Sequence, residues 1–184
     1  MGNKLSFITL MIALLAVGGC GHSVVTKTEG GVILSISEFD GLPVQVSVSG
    51  ALNAGGIVAI EQITLSNIAK VAVTGNLNTV SIESYEVGFG RGDGGTILPG
   101  TVVRGIFGSA AVNGTVDFDN LPVLLADQLS TPPLSDLLPQ NGGQDGQTGS
   151  DQTVLELRLR FYGHTLGGVA IESNTAVFSV NFVS

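Results

Sequence analysis

Five aspartates, two histidines and one tripeptide carry most of the chemistry open to this chain. Asp93, Asp117, Asp119, Asp145 and Asp151 lie in or beside segments rich in glycine and turn-forming residues. Hard cations such as calcium take several oxygen ligands, and carboxylates on neighbouring loops can supply them. In Asp117-Phe118-Asp119-Asn120 the alternation of an extended chain puts both carboxylates on one face. The segment Asn141 to Asp151 has the glycines and side-chain oxygens of a calcium loop, but it lacks the D-x-[DN]-x-[DN]-G spacing and the closing glutamate. Asp117, Asp119, Asp145 and Asp151 are therefore the candidate calcium ligands. The plainer reading is that each holds its own turn through a side-chain oxygen.

Nucleophilic catalysis needs a base. Only His22 and His164 are available, and no G-x-S-x-G elbow or comparable context surrounds a serine. His164 reads as an exposed residue at a strand end. Two histidines and one cysteine also speak against a zinc or copper centre. A carboxylate pair for glycoside hydrolysis is a spatial feature that spacing cannot reveal. Sugar clefts generally add aromatic platforms, and the chain has two tyrosines and no tryptophan. Gly90 to Gly95 lacks the Lys-Ser/Thr of a phosphate loop. Arg91-Gly92-Asp93 matches an adhesive tripeptide, yet a hairpin tip calls for the same residues. No catalytic residue is assigned, and the expectation is that the chain is not an enzyme.

The remaining reactive group is Cys20, the only cysteine. It ends the segment MGNKLSFITLMIALLAVGGC, in which Lys4 precedes an apolar run from Phe7 to Val17, relieved by Thr9. A positive start, a short apolar stretch and a small-residue exit make a secretory signal, and the run is too short for a spanning helix, which needs about 20 apolar residues. Val17-Gly18-Gly19-Cys20 resembles the lipobox of bacterial lipoproteins. That resemblance implies cleavage before Cys20, a covalent lipid (palmitate among its chains) on its thiol, and a place in the cell envelope. Gly21, where an aspartate would alter sorting, implies the outer membrane in a diderm host.

The rest is acidic and β-rich. The formal net charge is −8, with 15 acidic against 7 basic residues, and Lys4 leaves with the signal. Such a surface repels nucleic acid and anionic headgroups, so attachment is expected through acyl chains rather than a basic patch. Charged residues make up 12%, and glycine contributes 27 residues. The expected division is a signal peptide at 1–19, a lipidated tether at 20–31 and one domain at 32–184.

The elements that must position these groups read as strands. Val32 to Ser37 is a first strand. Val44, Val46 and Val48 alternate with Gln45, Ser47 and Ser49, which predicts a second. Ile57 to Asn67, Val80 to Phe89, Thr101 to Phe107 and Thr115 to Phe118 follow. Asp119 to Leu125 reads as a short strand or an edge, because Pro122 lacks a ladder N–H. Ser130 to Gln152 holds Pro132, Pro133 and Pro139 and reads as a long loop, with one helical turn at Leu134–Leu138. Thr153 to Tyr162 places Leu155, Leu157, Leu159 and Phe161 on one face and Glu156, Arg158 and Arg160 on the other. Those arginines read as a solvated face, with a partner surface as the alternative. Val169 to Ile171 and Val177 to Val183 complete the set. No segment after the signal shows helical periodicity.

About seven to nine short strands predict an all-β antiparallel sandwich. Ser84-Tyr85-Glu86-Val87-Gly88-Phe89 resembles the tyrosine-bearing middle strand of fibronectin type III domains, and Asn174 to Val180 resembles their last strand. The resemblance implies an immunoglobulin-like sandwich and no particular ligand. Gly92-Asp93-Gly94-Gly95 and Pro132 to Pro139 resemble segments of bacterial lipoproteins that carry no assigned activity. The expected function is a noncatalytic, lipid-anchored envelope protein with a structural or protein-interaction role. The alternative is a calcium- or small-ligand-binding module.

Overall fold

A computed structural model describes residues 31–72 and 75–184. The signal segment and the tether up to residue 30, Cys20 included, lie outside the described residues.

The described chain forms nine strands: β1 (Val32–Asp40), β2 (Gln45–Ser47), β3 (Val58–Ala69), β4 (Val80–Arg91), β5 (Val102–Ala110), β6 (Thr115–Leu124), β7 (Gln152–Thr165), β8 (Ala170–Glu172) and β9 (Ala176–Val183). They build two packed sheets. One has the order β1-β3-β6, and the other has the order β2-β9-β7-β4-β5, with β8 also pairing β7. The chain crosses between sheets after β1, β2, β3, β5 and β6, so the two layers are interwoven as in immunoglobulin-like sandwiches. The strand pairs are antiparallel except β2, which runs parallel to β9.

Period-two patterning explains most of this. Leu155, Leu157, Leu159 and Phe161 are all fully buried, in one core with Val80, Ile82, Tyr85 and Val87 of β4. From the opposite sheet come Leu34, Ile60, Ile63, Leu65 and Phe118. Phe118 stacks on Phe161 with centroids 5.7 Å apart, and Tyr85 sits 5.8 Å from Phe161. Tyr85 sends its hydroxyl across the sandwich to the Pro122 carbonyl at 2.7 Å. Pro122 itself lies on β6, a sheet edge, where its missing N–H breaks no ladder.

Three local features depart from the sequence pattern. The strand predicted over Val44 to Ser49 stops at Ser47, because the Ser47 Oγ accepts the Gly50 N–H at 3.1 Å and caps a short helix, α1 (Val48–Asn53). Val48 is buried while Val44 is 75% exposed, so these two valines do not share a face. Thr115–Phe118 and Asp119–Leu125, expected as separate pieces, join as the single strand β6. In β4, Glu83 is an extra residue opposite β7, and the inward set moves from Ile82 to Tyr85.

Strand register sorts the connections into two ends. One end gathers the start of β1, residues 69–72 and 75–79 between β3 and β4, the 111–114 turn and the 165–169 turn. The opposite end gathers α1, the 92–101 loop and the 125–151 loop. No helix among the described residues is long and apolar enough to cross a membrane.

Candidate functional site

The densest polar constellation lies at that second end, where β4 leaves the sheet. Gly92 and Asp93 turn the chain after Arg91, and the Gly92 N–H bonds the Val154 carbonyl of β7 at 2.9 Å. The turn folds the Arg91 side chain back inside, leaving it 2% exposed. Its Nε donates to Asp93 Oδ1 at 2.7 Å, and one terminal nitrogen donates to both Asp93 Oδ2, at 2.9 Å, and Asp145 Oδ2. Asp145 comes from the long loop and its side chain is fully buried.

Every carboxylate oxygen here has donors. Asp93 accepts from the N–H groups of Gly95 at 3.2 Å and Val154 at 2.9 Å. Asp145 Oδ1 accepts from the N–H groups of Gln147 at 2.7 Å and Thr148 at 3.2 Å, an Asx turn, while Oδ2 also takes the Thr153 hydroxyl at 3.0 Å. Burial by itself pushes Asp93 upward, but the Arg91 hydrogen bonds, the two N–H donors and the Arg91 charge bring it to about 2. Asp145 is likewise held below the ordinary carboxylate range, against the cost of its burial, by Gln147, Arg91, Thr148 and Thr153. Burial acts to lower Arg91, and its two carboxylate partners override that and raise it.

A second tie reinforces the first. Gln147 Oε1 accepts the N–H groups of Thr96 at 2.8 Å and Ile97 at 2.7 Å, and its Nε2 donates to the Thr96 hydroxyl at 2.9 Å. The loop also inserts Leu134, Leu137 and Leu138 into the core from a 3-10 turn at Leu134–Leu137, as the apolar island predicted. The segment Ser130 to Gln152 is thus a fixed platform, bolted to the 91–97 turn on one side and to the core on the other. Chemically this arrangement neutralises and immobilises. It presents no unpaired base or nucleophile.

The sequence-predicted site residues fall in three places. Asp93 and Asp145 meet around Arg91. Asp117 and Asp119 lie outward on β6, with Phe118 inward between them; Asp117 accepts from the Thr64 hydroxyl at 2.6 Å and Asp119 from Gln62 Nε2 at 3.2 Å. Asp151 is exposed before β7. Among the described residues, no three histidine, cysteine or acidic side chains group as a metal site. His164 sits near the end of β7 with Nδ1 3.1 Å from Glu83 Oε1, at the bulge.

Two further surfaces carry exposed features. On the outer face of β4 and β7, a cleft of about 280 Å³ is lined by Glu86, Gly88, Thr101, Arg158, Arg160 and Thr175. Its arginines are engaged: Arg158 pairs with Glu156 at 2.8 Å, and Arg160 donates to the Thr175 hydroxyl at 2.8 Å. The second surface is β5, the last strand of its sheet. Phe107 is 86% exposed there and Val103 65%.

Sequence reasoning missed the roles of Gln147 and Thr153, and that of the fully buried Asn67. Asn67 ties two connections together by donating to the Asn78 and Ala110 carbonyls at 2.9 and 3.0 Å. Local pattern carried a signal only for the Asx turn in Asp145-Gly146-Gln147-Thr148. Compared with known proteins, the chain matches no family model, no curated sequence and no solved structure.

Proposed function

We propose that this chain is a noncatalytic, lipid-anchored envelope protein, held in the outer membrane of a diderm host through a lipid on Cys20, and that it works as an interaction subunit. The observation that carries the interaction is β5. This nine-residue edge strand bears one charge, Arg104, and two exposed apolar side chains, Val103 and Phe107. Long apolar edge strands are templates for strand addition unless charge or a covering element blocks them. The occupant is a strand from a different protein, since two copies at a formal −8 each repel one another. The rigid 130–152 platform is the second surface available to that partner.

A photo-crosslinking residue at Phe107 in intact cells tests the reading. The expected result is one discrete, reproducible adduct with an envelope protein, absent when the probe sits at the exposed Ile57, just before β3 of the other sheet. A probe at Phe107 that yields no protein adduct at normal expression would sink the strand-addition role. The anchor is tested separately: Cys20→Ser should move the protein from the membrane fraction to the soluble one.

A further inference from the structure

We infer that the end of the sandwich where β1 begins rests on the lipid bilayer, with Val71, Leu77 and Leu166 entering the headgroup region, so that anchor and domain hold the membrane together. This deepens the lipid-anchor reading and rests on it.

Three observations converge. The first is where the chain enters the fold. The Lys70 N–H bonds the Gly31 carbonyl at 3.0 Å, which fixes the first described residue beside the 69–79 connection. Gly31 lies 11 positions beyond Cys20, and that tether spans at most ~40 Å when fully extended. A lipid on Cys20 therefore attaches the domain to the bilayer through this end rather than the opposite one.

The second is apolar exposure. Val71 is 66% exposed, Leu77 70% and Leu166 58%, and Ile33 and Ile68, register partners on β1 and β3, are 43% and 46% exposed. The leucines lie on adjoining turns, because the Gly167 N–H bonds the Leu77 carbonyl at 2.8 Å and the Leu166 N–H bonds the Thr79 carbonyl at 2.9 Å. Apolar side chains on turns are a surface that an interface can bury; Ile57, Ile97 and Leu98 are exposed at the opposite end as well, so attachment and charge are what single out this pole.

The third is charge. The connections 69–79, 111–114 and 165–169 contain no aspartate or glutamate and one cation, Lys70. The opposite end carries Asp40, Asp93, Asp127, Asp136, Asp145 and Asp151. Anionic headgroups repel that pole more strongly than this one. The chain thus gathers six aspartates at the far end, while the acid nearest Gly31 in sequence, Glu29, is accompanied by Lys27.

The test uses the full chain, processed in cells and reconstituted into vesicles of phosphatidylethanolamine and phosphatidylglycerol. Intact mass first shows whether Cys20 is acylated. With Cys20 blocked by lipid, Leu77→Cys, Leu166→Cys or Ile57→Cys supplies the only free thiol for a nitroxide label. Collision with oxygen, which partitions into lipid, is compared with collision with a water-soluble nickel complex. The expected oxygen-to-nickel ratio is several-fold higher at 77 and 166 than at 57. Equal ratios at all three positions on acylated protein would overturn the docking while leaving the anchor intact. Protection at 77 and 166 that persists when the protein is moved from vesicles to detergent as a dimer would also overturn it, because a second copy would then be the cover. An unacylated Cys20 in the processed protein would overturn the anchor and the docking with it.

Discussion

Arg91 and Asp145 are 54 residues apart in sequence and meet inside the protein, their side chains 2% and 0% exposed. Asp93 closes the group from the other side of the guanidinium. One buried cation thus faces two carboxylates, and the surplus negative charge is carried by the backbone donors of Gly95, Val154, Gln147 and Thr148. The arrangement joins a hairpin turn, the long loop and the start of β7.

Removing the cation leaves two buried carboxylates facing each other. Arg91→Met is expected to destabilise the fold by about 3 kcal/mol or more, which corresponds to a fall in Tm of about 10 °C. Proteolysis should then cut within 130–152 before it cuts the sheets. Thermal unfolding and limited digestion of the two proteins check both statements.

The same group makes stability fall in acid. The folded-state pKa of Asp93 is about 2 against an ordinary 3.8, so its contribution is present above about pH 4 and is lost as pH falls toward 2. The size is about 2 kcal/mol. Asp145, also depressed, adds to the loss in the same direction. Tm measured from pH 6 to pH 2 should drop, and Asp93→Asn should flatten the slope while lowering stability at neutral pH.

Gly163 and Gly88 are both strand glycines, and they should respond oppositely to alanine. A Cβ at Gly163 would lie 2.0 Å from the Ser81 carbonyl oxygen, where β7 passes the Glu83 bulge. At Gly88 the nearest atom to a Cβ would be 4.0 Å away. Gly163→Ala is expected to cost about 3 kcal/mol, and Gly88→Ala to lie within about 0.5 kcal/mol of neutral or to stabilise slightly. Urea unfolding midpoints distinguish them.

Tyr85→Phe strips the hydroxyl that reaches Pro122 and leaves that carbonyl without its partner. The expected loss is about 1–2 kcal/mol. Burial also raises the Tyr85 pKa above 10.0, against a smaller opposing effect of Arg104. The unfolded chain therefore releases its proton first, and stability should decline as pH rises beyond 10. The Tyr85→Phe variant should show a shallower alkaline decline, measured by denaturation between pH 8 and 11.

Where burial alone decides, the amino-acid pattern revealed the fold. Leu155, Leu157, Leu159 and Phe161 point inward because an extended chain alternates, and Leu134, Leu137 and Leu138 anchor their loop because nothing else there is apolar. Ser47 was hidden by its neighbours, since Val44, Val46 and Val48 imitate a strand while a single hydroxyl caps a helix. The Arg91 group was hidden for another reason. Asp93 and Asp145 look like any turn aspartates, and what distinguishes them is a partner brought from 54 residues away by the pairing of β4 with β7. Local chemistry can nominate a carboxylate, but only the strand order says what meets it.

The position of β7 also bears on how the molecule comes into being. It is the hub of the larger sheet, pairing β4, β8 and β9, and it begins only at Gln152. A chain emerging amino end first can assemble β1, β3 and β6, but β4 then has only the short-range β5 hairpin beside it. The edge of β4 that faces away from β5 stays unpaired until β7 is free to pair. Folding therefore depends on long-range pairing completed late. An interruption of synthesis before β7 leaves a fragment whose larger sheet is reduced to the β4–β5 hairpin, with one edge of β4 open.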